Sequence, residues 1–111
     1  MWRVWLVLSI ALVALGIVSA TIAAPAPAPR PGTVEIREFM YAPGAMTVSR
    51  GTTVRWVNRD EETHTVTSAT GAFASAGLAH DDAFERRFTE PGTYRYFCAL
   101  HPKMTATVVV R

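Results

Sequence analysis

The sequence predicts an all-β domain, a Greek-key sandwich of short strands set behind an apolar N-terminal leader. Three observations point there. Apolar and polar residues alternate with period two in one run after another, with little helical spacing. Turn-forming residues separate those runs about every 8–12 positions, the spacing of β-sandwiches. The chain has 111 residues, which bounds it at one domain.

The elements follow in order. Arg3 precedes residues 4–24, a stretch with no charge that ends in small residues. This is the layout of a secretory signal peptide, with a cleavage site at Val18-Ser19-Ala20 and a second possible one after Ala24. The same stretch suits an uncleaved N-terminal membrane anchor helix, which needs about 20 residues. No cysteine lies near residue 20, so a lipid thioether there is excluded. On either reading the globular part is exported, to the periplasm or another extracytoplasmic space, soluble or tethered. The membrane is a partner only if the leader stays attached. Residues 25–32, with Pro25, Pro27, Pro29 and Pro31, read as an extended Pro/Ala-rich tether. The folded domain is expected over residues 33–111.

Within it, Val34 and Ile36 alternate with Glu35 and Arg37, and Val54 and Trp56 stand out in the run from Thr52 to Val57. Thr63 to Thr67 is rich in β-branched residues. Phe84 and Phe88 mark the run from Ala83 to Phe88. Tyr94, Tyr96 and Cys98 fall on one face of the next strand, and Thr105 to Val110 makes the last. Turns are expected at Pro43-Gly44, Arg50-Gly51, Asn58-Arg59-Asp60, Gly71, Gly77 and Pro91-Gly92. About seven strands result. The stretch from Thr70 to Asp81 reads as a loop with a short strand or a turn of helix. Met40 and Met46 are expected to pack with Phe39 and Tyr41. Tyr94 is placed to tie its hydroxyl to a nearby loop, and His80 reads as a surface residue.

Net charge is +2, and no block of like charge suggests nucleic acid or an acidic substrate. Beyond residue 32 nine basic and nine acidic side chains balance. A domain this small buries about 60–65 % of its unfolded surface, and exported domains of this size often rely on disulfides. One cysteine permits no internal disulfide. A bound metal is the next obvious support.

The chemistry gathers in Cys98-Ala99-Leu100-His101-Pro102-Lys103-Met104, where Cys, His and Met recur at three-residue steps. Cys98 ends a strand and Pro102 argues against its continuing, so the segment is expected to be a tight loop. His64 stands upstream beside another strand. A thiolate, two imidazoles and a thioether form a mixed soft and borderline donor set. Two histidines and a cysteine in a trigonal plane, with a weak axial methionine, make the blue-copper pattern. Zinc would use the Cys and His residues, but Met is a poor zinc ligand. A Cys/His nucleophile lacks an evident orienting Asn or Asp. A c-type haem needs two cysteines and is excluded.

These residues resemble the cupredoxins, the amicyanin/plastocyanin-like branch most closely. The carrying segments are Gly51-Thr52-Thr53-Val54-Arg55-Trp56-Val57-Asn58, His64-Thr65-Val66 and Pro91-Gly92-Thr93-Tyr94-Arg95-Tyr96-Phe97-Cys98, and the short Cys-x-x-His-x-x-Met loop is similar to that of amicyanin. The resemblance implies an eight-stranded sandwich and one type 1 copper ion, cycling between Cu(I) and Cu(II), on His64, Cys98, His101 and Met104. It further implies a non-enzymatic, monomeric one-electron carrier that meets redox protein partners briefly. Asn58 matches an Asn of the family and is expected to pin the loop leading to His64, or to serve as a plain turn residue. Two positions depart from the family: Thr65 replaces an Asn and Ala99 a Ser or Thr, so the side-chain clamp between the ligand loops is expected to be lost. The backbone N–H of Thr65 can still reach the Cys98 sulfur. Leu100 and Pro102 are expected to form an apolar docking ring around His101, with Pro43-Gly44 adjacent. The alternative functions are a periplasmic module that stores or delivers copper without redox duty, and a redox sensor or a domain docked in a larger oxidase.

Overall fold

The computed structural model describes residues 11–14, 16–23 and 32–111. Residues 11–14 and 16–23 run without helix or strand. The rest of the expected leader and residues 25–31 of the tether lie outside the described residues. Among the described residues no helix is long and apolar enough to cross a membrane.

Eight strands follow: β1 (Thr33–Arg37), β2 (Met40–Ala42), β3 (Ala45–Val48), β4 (Thr52–Asn58), β5 (Thr67–Ser68), β6 (Ala83–Phe88), β7 (Gly92–Cys98) and β8 (His101–Val110). They form two four-stranded sheets, ordered β2-β1-β4-β6 and β3-β8-β7-β5. The fold is the all-β sandwich that the alternation predicted. Two pairings, β1 with β4 and β3 with β8, are parallel, and the rest are antiparallel.

The inward positions of the strands supply the core. Trp56 sits at its centre, fully buried, with its ring beside those of Phe73, Phe84, Phe88 and Tyr96. Val34, Ile36, Val54, Val108 and Val110 fill around it. Phe84 and Phe88 are the inward members of β6, and Tyr96 and Cys98 those of β7, as their period-two spacing requires.

Some expectations are corrected. The run from Thr63 to Thr67 is mostly irregular, and only Thr67–Ser68 pairs as a strand. Before it, His64 makes an isolated bridge with Leu78, because the loop that follows folds back on it. The loop over residues 70–81 holds Phe73 and Leu78 in the core by such single bridges, with no helix. Met46 packs against the core, but Met40 is exposed. With Tyr41 turned inward on a three-residue strand, its neighbour Met40 must face out. Pro102 does not end a loop; it lies inside β8. Cys98 pairs with His101 and Phe97 with Thr105, so residues 102–104 bulge out of the ladder and the missing N–H of Pro102 costs no ladder bond. The turn between β7 and β8 is therefore only Ala99 and Leu100. Tyr94 does tie its hydroxyl to a loop carbonyl, that of Glu90, at 2.7 Å.

Candidate metal centre

The site forms where the segment after β4 meets the β7–β8 turn. Asn58 ends β4 fully buried, and its side chain organises that segment. Its Nδ2 donates to the carbonyls of Glu62 (2.7 Å) and Leu78 (2.8 Å), and its Oδ1 accepts from the Asp60 N–H (2.9 Å). The expected pin is thus a three-bond brace. His64 exchanges both backbone hydrogen bonds with Leu78, at 3.1 and 2.7 Å. Its position is fixed before its ring meets anything.

The rings and the thiol then converge. His64 Nδ1 lies 3.2 Å from His101 Nδ1, and Cys98 Sγ lies 3.8 Å from the first and 3.6 Å from the second. A point equidistant from the three atoms is about 2 Å from each, in the range of bonds from a first-row metal to His nitrogen and Cys sulfur. Cys98 and His64 are fully buried, and His101 is half-buried. Met104 is buried on β8 and lines an apolar groove together with His101, Pro102, Lys103 and Phe39. Sulfur and imidazole donors in this proportion fit a soft-to-borderline ion such as copper. His80 is exposed and takes no part; its Nδ1 lies 3.1 Å from the Asp60 carbonyl oxygen.

The surrounding bonds are well defined. The Thr65 N–H donates to Cys98 Sγ at 3.3 Å, as expected. The side-chain clamp is replaced by a main-chain bond: the Ala99 backbone N–H donates to Thr65 Oγ1 at 2.7 Å. Ala99 lacks a polar side chain, but its main chain supplies the donor. Thr65 Oγ1 also meets Thr67 Oγ1 at 2.9 Å, and Tyr41 donates its hydroxyl to the Thr65 carbonyl at 2.6 Å. Burial, then the neighbouring Cys98 and Tyr96, pushes the Tyr41 phenol up.

Two residues of the site escaped the sequence reading. Asp60 Oδ2 lies 2.9 Å from His64 Nε2. A carboxylate only accepts, so Nε2 carries the proton and Nδ1 turns its lone pair to the centre. An orienting carboxylate therefore exists, four residues before His64, where the sequence showed only a turn. Asp60 also accepts from the backbone N–H groups of Glu38 (2.7 Å, Oδ1) and Phe39 (2.9 Å, Oδ2). Burial works to raise its pKa, but the N–H groups of Phe39 and Glu38, with His64, outweigh that and hold it below the ordinary carboxylate range. Phe39 is the other. Its ring stands edge-on to both imidazoles, with centroids 4.9 Å from His64 and 5.0 Å from His101. The sequence marked it only as an apolar neighbour for Met40 and Met46 to pack with.

Comparison with known proteins agrees with this geometry. Residues 8–110 match the model of the cupredoxin-like domain. The chain belongs to the cupredoxin-like family. This cupredoxin is 37% identical over 82 residues to amicyanin of Paracoccus denitrificans, a match that covers 69% of this chain and 63% of that protein. The chain thus spans just under two thirds of that relative's length. It is 31% identical over 87 residues to plastocyanin of Scenedesmus fuscus, covering 66% of this chain and 88% of the relative. Among solved structures, a reduced Cu(I) form of an amicyanin mutant superposes with a TM-score of 0.70 at 32% identity, covering 77% of this chain and 86% of the other.

Proposed function

We propose that this cupredoxin is a one-electron carrier that holds a single type 1 copper ion on His64, Cys98, His101 and Met104. The observation that carries the reading is the convergence of one thiol sulfur and two Nδ1 atoms, all within 4.8 Å of one another, on two buried residues and one half-buried one. The solved Cu(I) form of an amicyanin relative supports copper as the metal. Bound copper would supply a single electron at a time, with the sulfurs favouring Cu(I) and the imidazoles favouring Cu(II).

The protein's own part is to keep the donors still. Leu78 holds the His64 backbone, Asp60 fixes its tautomer, and the Thr65 N–H and the Ala99–Thr65 bond anchor the Cys98 turn. Donors held this firmly need little rearrangement when charge changes, which suits a carrier with no substrate chemistry. They suit storage or delivery less, since those duties require the metal to leave.

His101 is the half-buried ligand, flanked by Leu100, 56% exposed on the turn, and by Pro102 at the start of β8. Phe39 extends the same apolar surface. This is the proposed docking face for brief redox partners, with contacts below about 1,200 Å². The carrier works as a monomer outside the cytoplasm. Folded charges balance, so docking depends modestly on salt.

The decisive experiment is the visible spectrum of the purified protein with Cu(II). An intense thiolate-to-copper band at roughly 600 nm is expected from a trigonal His₂Cys set. Cys98→Ser removes it, because no other thiol exists in the chain. A retained band would refute the ligand assignment. Met104→Leu keeps the colour and raises the reduction potential; an unchanged or lower value would remove Met104 from the axial role. Leu100→Glu, followed by electron self-exchange from NMR line broadening, should slow exchange and leave the spectrum intact. Unaffected exchange would move the port elsewhere.

A further inference from the structure

The β1–β2 turn is built against its own preferences. Glu38 (φ 51°) and Phe39 (φ 59°) both occupy the left-handed region, where two-residue hairpin turns ordinarily place Asn and Gly. Neither residue suits it, so something outside the hairpin must hold it. That something is Asp60. Its two oxygens take both N–H groups of the turn, and one of them also accepts from His64 Nε2. The turn in turn carries the Phe39 ring over His64 and His101, with Phe39 as a whole 44% exposed. Phe39 also lines, with His101, Pro102, Lys103 and Met104, a groove that opens to solvent. Phe39, itself partly exposed, thus covers the fully buried His64 ring together with His101.

We propose that Asp60 is a positioning residue that latches the Phe39 cap to His64, so that one carboxylate both orients the imidazole and closes the donor set to small ligands. The proposal rests on the copper reading only for its metal-loaded measurements; the latch itself is a property of the protein alone.

The test uses the full chain with Asp60→Ala, Asp60→Asn, Phe39→Ala and the Asp60→Ala/Phe39→Ala double variant. Asp60→Asn keeps the volume of the side chain if alanine does not fold, but offers one accepting oxygen to three N–H donors. In the metal-free protein, imidazole nitrogen NMR should show His64 as a single Nε2–H tautomer. Both Asp60 variants should mix the tautomers and speed amide exchange at Glu38 and Phe39 about tenfold or more. Phe39→Ala should speed exchange of the His64 Nε2 proton with water while leaving its tautomer alone. In the copper-loaded protein, removal by a chelator should quicken about 10- to 100-fold in Asp60→Ala and Phe39→Ala, the range for lost partners of metal-bound histidines. Azide should perturb the spectra of both and not that of the wild type. The double variant should be little worse than the faster single one, because the two residues act as one device. Unchanged tautomer and amide exchange in the Asp60 variants overturn the latch. Unchanged proton exchange in Phe39→Ala, or additive copper loss in the double variant, overturns the cap. A chain that takes up no copper ends the carrier reading, and the metal-free measurements still decide latch and cap.

Discussion

At Thr65 one hydroxyl does the work of two side chains. It accepts from the Ala99 N–H and meets Thr67, while the backbone N–H of Thr65 reaches the Cys98 sulfur. Thr65→Val removes the hydroxyl at nearly constant shape and leaves the backbone donor in place. The expected cost is roughly 1–2 kcal/mol of stability, at about 1 kcal/mol per net hydrogen bond, with the copper spectrum kept. Urea unfolding of the metal-free protein measures it; an unchanged midpoint would make the clamp ornamental. Pairing Thr65→Asn with Ala99→Ser would exchange one such bond for another rather than restore a missing one. Asn58 is the sharper case, since it donates to two carbonyls and accepts once. Asn58→Ala should cost roughly 2–3 kcal/mol, because the Glu62 carbonyl and the Asp60 N–H lose their side-chain partner and the Leu78 carbonyl keeps only the His64 N–H. Asn58→Asp should cost more at neutral pH, since a carboxylate cannot donate to either carbonyl. If aspartate is the better tolerated, the donor role is wrong. The donor types at the centre were legible in the sequence because His, Cys and Met have few other reasons to stand at such spacing. Asp60 and the Ala99 N–H were not, because a turn aspartate and a main-chain donor look the same wherever they point.

Among the elements, strands with clean alternation read directly: β1, β4, β6 and β7 lie where their inward Val, Ile, Trp, Phe and Tyr residues put them. Short strands did not, since β2 and β5 have three and two residues and cannot show a period. Nor did the bulge at residues 102–104, which depends on the partner strand's register and not on β8 itself. The entry to β1 shows the same limit. Gly32, the last residue of the expected tether, is buried, and its carbonyl accepts from the Arg55 N–H at 2.7 Å. Its φ is 87°, and an added Cβ would meet the Thr53 carbonyl oxygen at 2.8 Å. Gly32→Ala therefore meets both backbone strain and a collision with a strand that cannot retreat. It should cost about 1–3 kcal/mol, read as a lowered denaturation midpoint. An alanine tolerated without loss would mean that pairing of β1 with β4 starts further along.

On the scale of the whole molecule, the core keeps two phenols from water. Burial, opposed by a smaller contribution from Trp56, pushes Tyr96 up to about 12, and Tyr41 is raised as well. An unfolded tyrosine ionises near 10.0. The folded state therefore holds a proton that the unfolded state gives up. The stability it confers is whole below pH 10.0 and drains away as pH rises toward about 12. The slope contributed is up to about 1.4 kcal/mol per pH unit for each tyrosine. Tyr96→Phe should shed its share of that slope. It should also leave neutral-pH stability unchanged or raised by up to about 1 kcal/mol, since the Tyr96 hydroxyl is buried without a hydrogen bond of normal geometry. Urea titrations from pH 8 to 12 would decide; parallel curves for the two proteins would show that Tyr96 does not titrate with unfolding. The pairing of β3 with β8 has another kind of consequence. Ala45 to Val48 lie beside Thr107 to Val110, and the two ends close through Arg50 N–H to the Arg111 carbonyl and Arg111 N–H to the Val48 carbonyl. A chain leaving a ribosome or a translocation pore with its N-terminus first therefore presents β3 long before its neighbour exists. Cys98 ends β7 and His101 begins β8, so the donor set and the second sheet are completed together, by the same late stretch of strand.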